Sequence, residues 1–312
     1  MDKWLELDKA WTAPQVPEDI PHGDMPGDKV CIGEGHIKKA NAVFPQLQKL
    51  LLACLKQNPA HRAVIAVCGG SGVGKSEIAS LLSFYLNQLG VGSYTMSGDN
   101  YPRRIPRDND AERLRVFRTG GLRGLVASGL YTAEHGEALK ALWEADTDAD
   151  PAKAKDAPWL QVYQKAGRRS LNGYLGTDAE IDFDEVSSIL ASFKQGAQTL
   201  YLKRMGRETT QLWYDEVDMR DKQVLIIEWT HGNSDGFEGV DIPILLNSTP
   251  AETLAHRQAR NRDGKTDSPF TTMVLELEQR KLDSQAHKAK IILSKNCELL
   301  SYEAYRRLMA QA

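Results

Sequence analysis

Cysteine is scarce in this chain, and metal-ligand spacing is missing from it. The 4 cysteines, Cys31, Cys54, Cys68 and Cys297, lie far apart. They form no C-x-x-C pair, and no histidine stands beside them at ligand spacing, so neither a zinc site nor a disulfide framework is expected. Such usage suits a reducing, cytoplasmic compartment. Long apolar runs are also absent: no segment reaches the roughly 20 residues that cross a bilayer. The opening MDKWLELDKAW lacks the apolar stretch of a secretory signal. Charge of neither sign dominates. With 39 Lys plus Arg against 42 Asp plus Glu the net charge is −3, so nothing global calls for nucleic acid or an anionic membrane as a partner. Internal repeats are lacking as well.

What is present is a chain of 312 residues, 41% hydrophobic and 26% charged, with material for a sizeable core. That length suits one elaborated α/β domain. Residues 1–35 are rich in Pro, Gly and Asp and read as an irregular arm. Apolar residues at helical spacing follow (Val43, Leu47, Leu50, Leu51, Cys54, Leu55). Residues 1–60 are therefore expected to be an arm and a helix packed on a core domain spanning 61–312. In that domain AVIAVC (63–68) is a continuous apolar run, as in a strand buried on both faces of a parallel sheet. Helical patterns follow at 77–89, 183–194, 250–262 and 269–286, and strand patterns at 93–97, 224–228, 242–246 and 291–293. Their alternation predicts a doubly wound parallel α/β sheet with flanking helices. Residues 103–180 break the pattern and read as an insertion, helical near 134–145. Its charged stretch at 144–156 is expected to be a mobile loop.

Directly after the first strand comes Gly69-Gly70-Ser71-Gly72-Val73-Gly74-Lys75-Ser76, which fits G-x-x-x-x-G-K-[ST]. Each part has a physical task. Glycines let the backbone curl until successive N–H groups of Gly70, Ser71, Gly72, Val73 and Gly74 point inward at phosphate oxygens. The helix that follows presents its positive end to the same anion. Lys75 brings a mobile charge to the β- and γ-phosphates, and Ser76 offers a hydroxyl to Mg²⁺. A strand before the loop and a helix after it supply the context that a chance glycine-rich turn lacks.

Four later segments add chemistry. Asp99, in GDNYP, ends the second strand, where a carboxylate could orient a hydroxyl and take its proton, although Asp-Asn also favours a plain turn. Asp182 and Asp184 flank Phe183 at a helix start, where either could equally be a cap. Glu228 ends VLIIE as a carboxylate beside the phosphate loop. Arg257, Arg260 and Arg262 close a helix after the fourth strand; they could cover phosphates or merely complement the helix dipole.

In this order, behind a phosphate loop, the segments resemble the family of uridine kinase, phosphoribulokinase and bacterial pantothenate kinase. The resemblance covers 63–101 and 180–297 in outline and not the arm or 103–175. It implies a P-loop NTPase fold, ATP and Mg²⁺, and transfer of the γ-phosphoryl group to an alcohol. It further implies Asp99 beside the acceptor hydroxyl with Tyr101 following it, and Asp182 or Asp184 on the substrate. Glu228 falls near the metal, and Arg257, Arg260 and Arg262 in a lid. The family continues Glu-Gly where this chain has Glu228-Trp229-Thr230-His231, so the role of His231 stays open.

The acceptor is expected to be small. Arg103 and Arg104, at the head of an arginine-rich run, suit a phosphate or carboxylate on it, and equally suit a solvated face. Tyr201 and Arg207 stand where uridine kinases read a base, but the histidine between them is missing, which weighs against a nucleoside. The reading is an ATP-dependent small-molecule kinase for a sugar phosphate or similar acceptor, with nucleoside or adenylylsulfate kinase as alternatives. A GTPase-like switch would need D-x-x-G and N-K-x-D downstream of Ser76, and neither occurs. A P-loop ATPase is disfavoured because VLIIE lacks paired acids. Homo-oligomerisation is left open.

Overall fold

Alternate residues of AVIAVCG decide the layering. The structure, a computed structural model, describes residues 3–260 and 268–310. Strand β1 (Ala63–Gly69) is buried along its whole length. It is flanked by β5 (Val224–Glu228) and β6 (Ile242–Leu246), both parallel to it. The remaining strands of the main sheet are β2 (Ser93–Ser97), β7 (Ile291–Leu293) and the short β8 (Leu299–Leu300). The 6-stranded order is β2-β5-β1-β6-β7-β8, with only β8 antiparallel. Ala63, Ile65 and Val67 face α1 (Glu34–Gln57) and α2 (Lys75–Gln88). Val64 and Ala66 face α7 (Phe183–Lys194) on the other side. A run apolar at every position can pack helices on both faces, which is the physical content of a doubly wound sheet.

Residues 103–180 form a helical layer of their own: α3 (Pro106–Ala127), α4 (Ala133–Glu144), α5 (Pro151–Ala154) and α6 (Pro158–Asn172). Phe117, Leu139, Leu160, Tyr163 and Leu171 make its core, which continues onto Met273 and Leu277 of α9 (Pro269–Gln285). Small residues let α3 and α6 approach closely: a Cβ on Gly121 would come within 2.4 Å of the Tyr163 ring. Here the expected mobile loop is corrected. Within 144–156, Asp148 and Ala149 are buried, and Asp148 accepts hydrogen bonds from Arg118 at 2.9 Å and Tyr163 at 2.8 Å. Low complexity in sequence conceals a buried carboxylate that ties α3 to α6.

A 2-stranded antiparallel hairpin, β3 (Thr199–Met205) and β4 (Leu212–Asp218), follows α7 and was not anticipated by the strand pattern. The helix expected over 250–262 begins later: 251–253 are turn, α8 is Leu254–Arg260, and 261–262 lie outside the described residues. A last helix, α10 (Tyr302–Met309), packs beside β8. Among the described residues no helix is long and apolar enough to cross a membrane.

Candidate active site

The turn between β1 and α2 is built from conformations that only glycine adopts easily. Gly69, Gly72 and Gly74 have φ of +153°, +78° and +96°. The turn is also too crowded for side chains: a Cβ on Gly69 would lie 2.6 Å from the Leu246 carbonyl oxygen, and one on Gly72 would lie 3.0 Å from Arg257 Cγ. Gly74 backs onto His36 of α1, and Lys39 Nζ donates to the Val73 carbonyl at 3.5 Å, so the N-terminal helix braces the loop from behind. Lys75 Nζ folds back to the Gly70 carbonyl at 3.3 Å. That position spans the mouth of the loop, where anions would sit. Arg257 is buried against the loop and donates to Pro250 O at 2.8 Å and to Thr253 Oγ1.

Parallel pairing in register brings the ends of β1, β5 and β2 to one edge, the carboxyl edge where open α/β sheets bind ligands. Val67 and Ser97 both pair with Glu228. As a result Glu228 accepts from Ser76 Oγ at 3.2 Å and from Ser97 Oγ at 2.5 Å. Burial, then the nearby Asp99 charge, push the Glu228 pKa up to about 7, against the pull of Lys75. This set of a hydroxyl and one carboxylate beside a phosphate cradle suits a hard cation such as Mg²⁺, which takes few protein ligands and completes its sphere with phosphate and water. Among the described residues no cluster of three or more His, Cys, Asp or Glu offers a self-sufficient metal site.

Asp99 lies in the turn after β2, with its backbone N–H on Ser97 Oγ at 3.4 Å. Its side chain is exposed to solvent, yet the protein around it partly desolvates the carboxylate. That desolvation raises its pKa, opposed by Lys75 and Arg113. Trp229, the residue that departs from the expected Glu-Gly, lies flat under this turn. A Cβ on Gly98 would meet its ring at 2.0 Å, so glycine is required there. His231 sits edge-on to Trp229, and a Cβ on Gly176 would come 2.9 Å from its ring. Burial pulls the His231 pKa down to about 4, Glu180 opposes this, and Arg113, Lys281 and Lys75 add to it. The imidazole is therefore neutral at physiological pH.

Several groups in the cleft were not singled out by sequence reading. Arg113 of α3 binds Glu180 at 2.6 Å and Glu278 of α9 at 3.4 Å. Glu180 also accepts from Asn109 Nδ2 and from the Gly176 N–H at 2.6 Å. These partners are 67 and 165 residues away from Arg113 in sequence, so no local pattern announces them. Asp24, from the irregular arm, reaches under the same turn. It accepts from the Ser97 N–H at 2.7 Å, Asn100 at 3.2 Å, Tyr94 at 3.0 Å and Arg204 at 2.9 Å.

The remaining sequence candidates distribute unevenly. Tyr101 is buried, its ring beneath Lys203 Nζ. Arg103 bonds the Asp178 carbonyl at 2.6 Å and pairs with Asp182 at 3.1 Å. Arg104 bonds Tyr174 and pairs with Glu112 at 3.9 Å. Asp182 caps α7, and Asp184 is exposed in its first turn. Tyr201 is 62% exposed with its hydroxyl on Glu216, and Arg207 is at the exposed hairpin turn, so neither is bonded to the Asp99 cluster. The backbone of Arg260 ends α8, and Arg262 lies outside the described residues.

No family model matches the chain. Among curated proteins it is similar to a bifunctional α-galactosidase/sucrose kinase of Mediterraneibacter gnavus, 36% identical over 260 residues. That match takes in 83% of this chain and spans 22% of the relative's length. It is also similar to an adenylyl-sulfate kinase of Erwinia tasmaniensis, 34% identical over 142 residues, covering 38% of this chain and 70% of the relative. A D-glycerate 3-kinase structure from Cryptococcus neoformans superimposes with a TM-score of 0.45 at 12% identity, over 83% of this chain and 98% of that one. The phosphate loop between a buried strand and a helix, the acidic strand end that meets Ser76, and this kinship with curated kinases carry one conclusion: the chain belongs to the P-loop kinases.

Proposed function

We propose that the chain phosphorylates a hydroxyl of a neutral sugar, with sucrose the first candidate, at the expense of MgATP in the cytoplasm. The observation that carries the acceptor class is charge pairing on the acceptor side. Arg103, Arg104 and Arg113 each face a carboxylate of the chain itself, at Asp182, Glu112 and Glu180. A site whose cations are already matched has little need of an anionic substrate, and the hydroxyls of a polyhydroxy compound can accept from such guanidinium groups and donate to such carboxylates. The extent of the match to the sucrose kinase relative supports the same class.

In this reading the loop N–H groups and Lys75 hold the β- and γ-phosphates. Ser76 and Glu228 would hold Mg²⁺, which supplies charge neutralisation of the phosphates when bound. Asp99 orients the acceptor hydroxyl and takes its proton as the oxygen bonds to the γ-phosphorus and the bond to ADP breaks. Crowding around Asp99 raises its proton affinity and suits it to that task. His231, neutral, is a hydrogen-bonding group for the acceptor and carries no charge into the transfer. Arg257 steadies the loop at Gly72, and Arg260 and Arg262 are proposed lid groups.

The test is ADP release with sucrose, other neutral mono- and disaccharides, sugar phosphates, nucleosides and adenylyl sulfate as acceptors. Turnover with a neutral sugar at least tenfold above every anionic acceptor is expected. A second reading, adenylyl-sulfate kinase, follows from the 34% identical relative, whose match takes in 38% of this chain. Preference for adenylyl sulfate or a sugar phosphate would overturn the neutral-sugar assignment while leaving the kinase intact.

A further inference from the structure

Unpaired positive charge does exist near the site, in a groove whose lining includes neither Asp99 nor the phosphate loop. Lys165, Arg168 and Arg169 lie on one face of α6, and Arg280 and Lys281 on one face of α9. The two faces oppose each other across a groove of about 520 Å³. Only Arg168 has a carboxylate partner among the described residues, Glu276 at 2.7 Å. Lys165, Arg169, Arg280 and Lys281 have none there. This contrasts with the arginines beside Asp99, each of which is matched. It also contrasts with the chain as a whole, whose net charge is −3.

Part of this charge complements the carboxyl ends of α6 and α9. That effect acts on each helix separately, falls off within the last turn, and leaves Lys165, two turns from the end of its helix, unexplained. Like charges at i and i+4, as Lys165 and Arg169 are, cost stability when nothing lies between them, and facing cations across a groove repel further. We propose that the groove binds a small multiply charged anion, one bearing two or more phosphate or carboxylate groups. The dimensions fit. The volume is that of a small-molecule site. From Lys165 to Asn172 the lined face runs ~10 Å along α6, enough to engage two anionic groups at once. Guanidinium forks at Arg168, Arg169 and Arg280 match phosphate and carboxylate oxygens in pairs.

The groove also adjoins the catalytic cleft. Lys281 packs against Gly176 beside His231, and Glu278, three residues before it on the same helix, holds Arg113. An anion seated there would bridge α6 and α9, and α9 carries Glu278, the partner of the Arg113 whose charge acts on Asp99. This makes the groove a second, regulatory site, whose existence does not depend on the identity of the acceptor.

The experiment is calorimetric titration of the full chain with its phosphate loop filled by a non-hydrolysable ATP analogue and Mg²⁺. Fructose 1,6-bisphosphate and citrate serve as phosphate and carboxylate probes. Binding of at least one probe is expected, weakening more than tenfold in Lys165→Gln/Arg169→Gln/Arg280→Gln and unchanged in Arg103→Gln/Arg104→Gln. Which probe binds tells phosphate from carboxylate. All three substituted groove residues are exposed, so the melting temperature is expected to stay near that of the wild type and to certify the fold. No binding of either probe at millimolar concentration overturns the proposal. So does equal affinity in the groove variant, which would put the anion in the acceptor cleft.

Discussion

The proposed nucleotide side and the proposed acceptor side of this molecule are built on opposite plans. On the proposed nucleotide side one contiguous stretch, Gly69 to Ser76, would supply nearly everything, much of it as backbone. Its geometry is set by residues next to each other in sequence, through positive φ at glycine and a helix start. On the acceptor side no stretch suffices. Arg113, Glu180, Glu278, Asp24 and Arg204 come from five separate parts of the chain and meet as paired charges. A backbone cradle can be carried by a short motif. A charge-balanced cleft is defined by its partners, and partners are a property of the fold.

Substitutions can test this division, beginning where the effect is largest. Lys75→Ala removes a charge with no substitute, and phosphoryl transfer should fall by roughly a thousandfold, or about 4 kcal/mol, with the fold intact. Measured turnover near that of the wild type would remove the phosphate loop from the mechanism. On the acceptor side, Arg113→Met should instead unfold more than it inactivates. Glu180 is 1% exposed and would keep its charge without a partner, at a cost of about 3 kcal/mol. Adding Glu180→Gln should return part of that stability in denaturant melts; no recovery would mean that the pair is not the source.

Asp99→Asn preserves shape and removes the proton acceptor. A hundredfold drop in kcat, about 2.7 kcal/mol, is expected with ATP affinity nearly unchanged. Collapse of ATP binding would move Asp99 to the nucleotide side of the comparison. His231 gives a smaller effect that depends on pH. Its folded pKa of about 4 lies below that of an unfolded histidine, so the unfolded chain takes up a proton first as pH falls. Stability contributed by the neutral ring is complete above pH ~6.5 and declines as pH falls from there toward 4. At pH 5 the loss is about 2 kcal/mol, and His231→Gln should flatten the melting curve over that window relative to wild type. Parallel profiles would show that His231 is not held neutral. The smallest change is expected from Arg103→Gln/Arg104→Gln: within about 0.5 kcal/mol in stability, because both pairs are partly exposed, and little in sugar KM. A raised KM would restore the anionic acceptor.

The same division explains what could be read in advance. Strands β1, β5, β6 and β7 and the doubly wound class were readable, because a strand buried on both faces must be apolar at nearly every position. Hairpin β3–β4 was not. Strand β4 is exposed along nearly its whole length and so has no inward-facing rhythm, and β3 buries Lys203 and Arg204, residues that read as surface until Asp24 and Glu185 are seen beside them. Likewise 144–156 looks disordered by composition, yet Asp148 is buried because Arg118 and Tyr163 satisfy it.

By itself, then, the amino-acid sequence determined the parallel sheet, the phosphate loop and the presence of acidic strand ends. Those depend on local backbone preference and on apolar patterning, which are written residue by residue. Only the tertiary structure decided which charges meet. It matched Arg103, Arg104 and Arg113 and, among the described residues, left Arg169 and Arg280 between α6 and α9 without a carboxylate partner, because the energy of a charge depends on what lies within a few ångströms of it and not on its neighbours in sequence.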